Sequence, residues 1–289
     1  MFRKEVGIQG VLELAAGLRA RRCAVTLNAQ RYLKSVFPTL LAGASVRVGL
    51  PRSKTRDGVS LFHTHHLVER PWCHTQDLLL GYREILGLPA DAPVEWRITF
   101  SEEERRQRAG FFAELGEGPV AGLVLATANL KKDWPAGHYA PLARALAALG
   151  YRVLLVGGPS PRERAVADAV LAAPGTRAVS GLSDSVRHMM WMVAGVDLLV
   201  SPDTGPLHLA QALGTPVIGL FGHTNPACVG PWRRFRELMV DRYTEPGASS
   251  DPTEYEPKLG RMEQVSVEDV LEKVELARAR YGSARATLR

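Results

Sequence analysis

An α/β protein with a parallel sheet is the fold class this chain predicts, and three observations point to it. The half after residue 118 alternates short apolar runs with segments of helical spacing. Its runs, such as VAGLVLA at 120–126, RVLLV at 152–156 and VIGLF at 217–221, are apolar but for Arg152 at the start of the second, as strands covered on both faces must be. Apolar residues make up 46% and charged residues 23% of the 289 positions, the balance of a globular chain. Strand–helix units of this kind build a doubly wound, Rossmann-like domain. A prior of roughly 100–200 residues per domain favours two of them.

Taken in order, Val11–Ala20 has helical spacing, Cys23–Leu27 reads as a strand, Tyr32–Ala42 as a helix and Val46–Leu50 as a strand. Ser101-Glu102-Glu103-Glu104 is a capping box opening a helix to about Leu115. Gly116-Glu117-Gly118-Pro119 follows as a natural linker, which puts the expected boundary near residue 117 and the domains at 1–117 and 118–289. The first domain begins on a helix instead of a strand, so it looks short at its front.

Beyond the linker, Ala140–Ala148 is helical and stops at Gly150. The strand Arg152–Val156 ends in Gly157-Gly158-Pro159, and Ser160-Pro161-Arg162-Glu163 reads as a capping box with Pro at the first helical position, opening a helix to about Ala172. Ser183 or Asp184 can cap a helix through Val193. Asp197–Val200 is strand-like, Pro206–Leu213 is a helix closed by Gly214, and Val217–Phe221 is again a strand. Asp241–Gly260, rich in Pro, Gly, Ser and acids, reads as a loop. Ser266 starts a last helix with Val267, Val270, Leu271, Val274 and Tyr281 on one face, and 282–289 is expected to fray.

Several function classes fall away. No apolar run approaches the roughly 20 residues that span a bilayer, and the N-terminus lacks the apolar core of a signal peptide. Cys23, Cys73 and Cys228 lie far apart without CxxC spacing, which fits reduced thiols in a cytoplasmic compartment. The net charge of +6 and pI near 9.4 lean towards anionic partners. With no basic tail and no aromatic–basic interleaving, nucleic acid is not the expected one.

The chemistry concentrates in Ser201-Pro202-Asp203-Thr204-Gly205-Pro206-Leu207-His208, between a buried strand and a helix. That is the sheet edge where open α/β folds bind ligands. Gly205 lets a ligand approach the backbone, Pro206 presets the first helical turn, and the free N–H groups there suit a phosphate. Thr204 can donate a hydroxyl, and His208 lies one turn in. A plain helix start, with Asp203 as N-cap and His208 on the surface, is the alternative.

Thr127–Pro135 follows the first strand of the same domain and offers the Thr127 hydroxyl with Lys131 and Lys132, suited to a phosphate gripped as charge moves; a solvated basic turn is the plainer reading. Glu163 can hydrogen-bond ribose hydroxyls or serve its own capping box. No GxGxxG follows any strand, which argues against an NAD or FAD site.

His63, His65, His66, Cys73 and His74 invite a metal reading. His63 and His65 would share one face of a strand, but a polar loop is the favoured account, and adjacent Cys73 and His74 would point apart.

DTGPLHLAQALGTPVIGLFG, with the KKDWP loop and the strand ending in GGP, resembles glycosyltransferase family 9, the ADP-heptose:lipopolysaccharide heptosyltransferases, from about Cys23 to Tyr281. Softer support comes from VTLNAQRYLKSVF, GASVRVGL and the basic stretch Arg52–Arg56. The resemblance implies a GT-B fold: two facing Rossmann-like domains, the N-terminal one here incomplete, holding an acceptor, and the C-terminal one holding an ADP-sugar. It implies sugar transfer with inversion, without metal or cofactor, to a lipid-linked or saccharide acceptor of the lipopolysaccharide core, in the cytoplasm at the inner membrane surface.

It places Asp203, Thr204, Gly205 and His208 on the pyrophosphate- and sugar-contacting motif, Thr127 and Lys132 on the phosphate loop, and Glu163 at the ribose. Ala128 stands where many members have a second hydroxyl. The family's glycine–aspartate loop, whose carboxylate serves as general base, would fall before Met1, so no catalytic residue is assigned. Two expectations follow: a non-catalytic nucleotide-sugar-binding protein, or a start some 50–70 residues upstream, about two strand–helix units.

Overall fold

Every strand pairing in the computed structural model, which describes residues 8–248, 251–252 and 254–282, is parallel. The chain divides into one unit up to Pro93 and another from Val94 onward.

The first unit contains α1 (Ile8–Ala20), β1 (Val25–Asn28), α2 (Val36–Leu41), β2 (Val46–Gly49), β3 (His65–His66), α3 (Thr75–Leu80) and α4 (Tyr82–Ile85). Its sheet has three strands in the order β1-β2-β3. A small core of Val48, Leu50, Leu67, Leu78 and Tyr82 sits on β2 and the helices after it. The Tyr82 hydroxyl donates to the Asn28 carbonyl at 2.6 Å, tying α4 to the end of β1.

The second unit contains α5 (Glu102–Glu114), β4 (Val120–Val124), α6 (Tyr139–Ala148), β5 (Arg152–Gly157), α7 (Pro161–Ala172), β6 (Ala178–Leu182), α8 (Val186–Gly195), β7 (Leu198–Pro202), α9 (Gly205–Leu213), β8 (Val217–Phe221), α10 (Pro226–Val229), β9 (Val240–Asp241) and α11 (Val267–Tyr281). The strand order is β6-β5-β4-β7-β8-β9. Chain order therefore reverses between β4 and β7, which opens a crevice at the carboxyl ends of those two strands. Strands β4, β7 and β8 are buried along their whole length, as their unbroken apolar runs require.

The expected helices and strands of this unit form, most within two residues of their expected ends. Two strands were not expected. β6 is a half-exposed edge strand without an apolar run, and β9 has two residues. The cap of α8 is Ser185, neither Ser183 nor Asp184. Residues 283–289 lie outside the described residues.

The boundary expected near residue 117 also shifts, because α5 belongs to the second unit. Its Ser101–Glu104 capping box forms as expected. Glu104 then takes the Arg187 guanidinium of α8, at 2.6 Å to one oxygen and 2.5 Å to the other. Phe111 meets Trp191 edge-on, with ring centroids 5.6 Å apart. Gly195 lies so close under Phe112 that a Cβ there would sit 2.2 Å from the ring.

A pair of substitutions tests that packing by thermal unfolding. Gly195→Ala forces the Phe112 ring off α8 and should cost about 1–3 kcal/mol. Gly110→Ala, exposed on α5 with nothing within 4 Å of the new methyl, should stabilise by up to about 1 kcal/mol. Equal effects would remove the α5–α8 contact from the account.

Candidate functional site

The loops that leave β4 and β7 are neighbours because those strands are paired. Each delivers one charged side chain to the crevice. Lys132, from the loop after β4, places its Nζ 2.6 Å from Oδ2 of Asp203, from the turn after β7. Thr224, from the loop after β8, donates its hydroxyl to the same oxygen at 2.8 Å. His208 Nε2 lies 3.5 Å from the other oxygen, Oδ1.

Asp203 is only 7% exposed, and burial by itself would raise its pKa. The His208 hydrogen bond, the charge and hydrogen bond of Lys132 and the Thr224 hydroxyl together outweigh it and hold the carboxyl at about 2. Asp203 is therefore not the N-cap of a plain helix start. The cap of α9 is Thr204, extended at φ −153°, and its hydroxyl makes no bond to the helix.

Gly205 is exposed, and a Cβ there would meet no atom within 4 Å. The first turn of α9 thus faces open space, with its free N–H groups and the positive end of the helix dipole. His208 is half exposed beside it. Of the expected site residues, Lys132, Asp203, Thr204, Gly205 and His208 come together here.

Thr127 and Glu163 have local duties. The Thr127 hydroxyl donates to the Asn129 carbonyl at 2.6 Å and accepts the Asn129 N–H at 3.1 Å, so it closes its own turn. The Thr127 N–H donates to Asp133 Oδ1 at 2.7 Å. Arg162, on α7, bonds the Thr127 carbonyl and pairs with Asp133 at 3.2 Å. This lattice, built by Asp133 and Arg162, fixes the course of the Lys132 loop.

Glu163 Oε1 accepts the Gly158 N–H at 2.6 Å and Oε2 the Ser160 hydroxyl at 2.5 Å. The expected capping box at Ser160 is therefore half made: Ser160 receives the Glu163 N–H, while the carboxylate returns to Gly158.

The histidines of the first unit do not gather as ligands, although the His63 and His66 rings meet edge-on with centroids 5.8 Å apart. His63 lies outside β3 and is buried against Asn28, with Nε2 and Nδ2 3.0 Å apart; burial, then His66 and Arg47, lower its pKa. His66 bonds the Ser60 carbonyl, His65 the Thr64 hydroxyl, and His74 caps α3. Among the described residues no three His, Cys, Asp or Glu side chains converge as metal ligands, and no helix is long and apolar enough to cross a membrane.

Sequence reading missed Thr224, Asp133 and Arg162. Thr224 sits in Gly222-His223-Thr224-Asn225-Pro226 at the carboxyl end of a buried strand, and that placement is the signal that could have found it.

Residues 11–254 match the profile of glycosyltransferase family 9 (heptosyltransferase). The chain belongs to that family. It is 26% identical over 247 residues to lipopolysaccharide core heptosyltransferase OpsX of Haemophilus influenzae, covering 84% of this chain and 70% of that protein. It is 29% identical over 218 residues to lipopolysaccharide heptosyltransferase 1 of Pseudomonas aeruginosa, covering 73% of this chain and 57% of the relative. The structure of Escherichia coli ADP-heptose lipopolysaccharide heptosyltransferase II superposes with a TM-score of 0.70 at 23% identity, over 96% of this chain and 82% of that one. The fold class is accordingly GT-B, and the strand order of the second unit is its Rossmann-like half.

The buried carboxylate makes stability depend on pH with a definite sign. Its folded pKa of about 2 lies below the ordinary 3.8, so its contribution is present above pH 4 and lost as pH falls through 2. Wild type minus Asp203→Asn stability, from urea unfolding, should shrink by about 2 kcal/mol over that window. A constant difference would contradict the assigned bonds.

Proposed function

We propose that this chain transfers a heptose or similar sugar, with inversion, from an ADP-sugar to a lipopolysaccharide-core or related saccharide acceptor. The observation that carries the reading is the meeting of the Lys132 ammonium and the open first turn of α9 across the switch point of the sheet. Together they suit a diphosphate: one mobile positive charge and a fixed row of N–H donors. Membership of a heptosyltransferase family supports the transfer reaction, and the likeness to Escherichia coli ADP-heptose lipopolysaccharide heptosyltransferase II supports the choice of ADP-heptose.

The chemistry follows from where charge develops. Direct displacement at the anomeric carbon loads negative charge on the departing diphosphate. Lys132 and the α9 N–H groups sit where that charge grows, so they bind the transition state more tightly than the ground state. Lys132 turns from Asp203 to the phosphate, and Asp203 with His208 takes a sugar hydroxyl. Glu163, at the start of α7, is the ribose contact in this reading, and Thr127 a phosphate contact once its hydroxyl leaves Asn129. In this reading the acceptor is lipid-linked or a saccharide, and the transfer takes place in the cytoplasm at the inner membrane surface.

Two measurements test the binding site. Lys132→Ala and Gly205→Val should each weaken ADP binding by about 1.5–3 kcal/mol in calorimetry. Gly205→Val should melt near wild type, because a Cβ there meets no atom within 4 Å. Lys132→Ala should melt lower, because it takes a partner from the buried Asp203 carboxylate, and its affinity is read well below its melting temperature. Unchanged affinity in both would remove this site. With Lys132 and α9 neutralising the diphosphate, excess EDTA should leave ADP-heptose binding unaltered; abolished binding would call for a divalent ion.

Transfer itself is read by mass spectrometry of a core oligosaccharide acceptor incubated with ADP-heptose. A gain of one heptose is expected. Tight donor binding with no transfer would reject the transferase reading.

A further inference from the structure

We propose that Thr224 is a positioning residue for donor recognition: it locks the Asp203 carboxylate so that Oδ1, together with His208 Nε2, is presented to a hydroxyl of the donor's sugar. The inference rests on the functional reading above.

The geometry divides the two carboxylate oxygens. Oδ2 accepts from Lys132 Nζ at 2.6 Å and from Thr224 Oγ1 at 2.8 Å, which fills both of its lone-pair directions. Oδ1 has only the long 3.5 Å approach of His208 among the described residues. A sugar hydroxyl placed between Oδ1 and Nε2 can donate to the first and accept from the second. This requires the carboxylate plane to stay where it is when Lys132 turns to the diphosphate. Of the two bonds to Oδ2, only that from Thr224 survives the turn.

Thr224 is built to hold still. Gly222, two residues before it, lies against the Arg261 backbone with no room for a Cβ, which would come within 2.5 Å. His223 Nδ1 lies 2.7 Å from the Lys258 carbonyl, and the His223 carbonyl accepts the Lys258 N–H at 3.0 Å. Asn225 donates to the carbonyls of Asp251 and Glu254 at 2.7 and 2.9 Å and caps α10 with its side-chain oxygen. Both flanking residues are 5% exposed. The hydroxyl between these anchors is thus held rigidly on Asp203, the condition for a group that acts through another.

The test separates the sugar's share of binding from the nucleotide's. Affinities for ADP and for ADP-heptose, without acceptor, are measured by calorimetry, and their ratio reports the sugar. Thr224→Val should lower that ratio about tenfold, the worth of one hydrogen bond to a charged group, with ADP affinity within about twofold of wild type. Thr224→Ser, which keeps the hydroxyl, should restore the ratio. The acid limb of ADP-heptose affinity should move to higher pH in Thr224→Val, because Asp203 loses a donor that favours its charged form.

An unchanged ratio, an equal loss for ADP, or a failure of Thr224→Ser to restore would overturn the proposal. Thr224→Ala replaces Thr224→Val if the latter does not fold. Asp203→Asn distinguishes the two levels. If it leaves the ratio at the wild-type value, the functional reading of Asp203 is wrong. If it collapses the ratio and Thr224→Val does not, only the role of Thr224 is.

Discussion

The site depends on one buried charge: the Asp203 carboxylate, removed from water at the end of β7 and kept ionised by His208, Lys132 and Thr224 together. An isolated carboxylate in that position would protonate, because burial disfavours its charge. Lys132 comes from the far side of the reversal in strand order, so the ion pair closes only when β4 and β7 are already paired in register. The interaction is accordingly a product of the fold more than a cause of it. Buried pairs of this kind contribute little net stability, since desolvation offsets the attraction. What the pair does is hold two opposite charges apart from water at the edge of the crevice, ready to be exchanged for a ligand's.

Around that pair the rest of the second unit has a supporting order. The Asp133–Arg162–Thr127 bonds set the path of the Lys132 loop. The bonds of His223 and Asn225 to Lys258, Asp251 and Glu254 fix the loop after β8. Trp134, 2% exposed, donates its indole N–H to the Val265 carbonyl at 2.8 Å, so the loop carrying Lys132 is also tied to the segment leading into α11. Rigid strands thus present short loops that hold the Lys132–Asp203 pair in place and leave the α9 N–H row and Asp203 Oδ1 for something else.

Much of this was legible in the sequence because burial writes itself as pattern. Unbroken apolar runs gave β4, β5, β7 and β8, and Gly205-Pro206 marked where α9 opens. Strands with half-exposed edges, β6 and β9, leave no such pattern and were missed. The role of Asp203 was ambiguous, since an aspartate before Gly-Pro reads equally as an N-cap; only the tertiary placement of Lys132, 71 positions away in sequence, decides for the ion pair. Thr224 was missed for a related reason: its place after β8 marked it as a candidate, but its bond to Asp203 is tertiary. The reverse error occurred at α5, whose Ser101 capping box was read correctly but whose allegiance was not, because the partner contacts at Arg187, Trp191 and Gly195 lie far along the chain.

The central claim is that the reversal between β4 and β7 is a nucleotide-diphosphate site. A crystal structure of the protein with ADP tests it most directly. The account predicts the diphosphate against the first turn of α9, with Lys132 Nζ moved from Asp203 Oδ2 onto a phosphate oxygen and Asp203 unmoved on Thr224. Nucleotide bound elsewhere, with the Lys132–Asp203 pair intact, would contradict it.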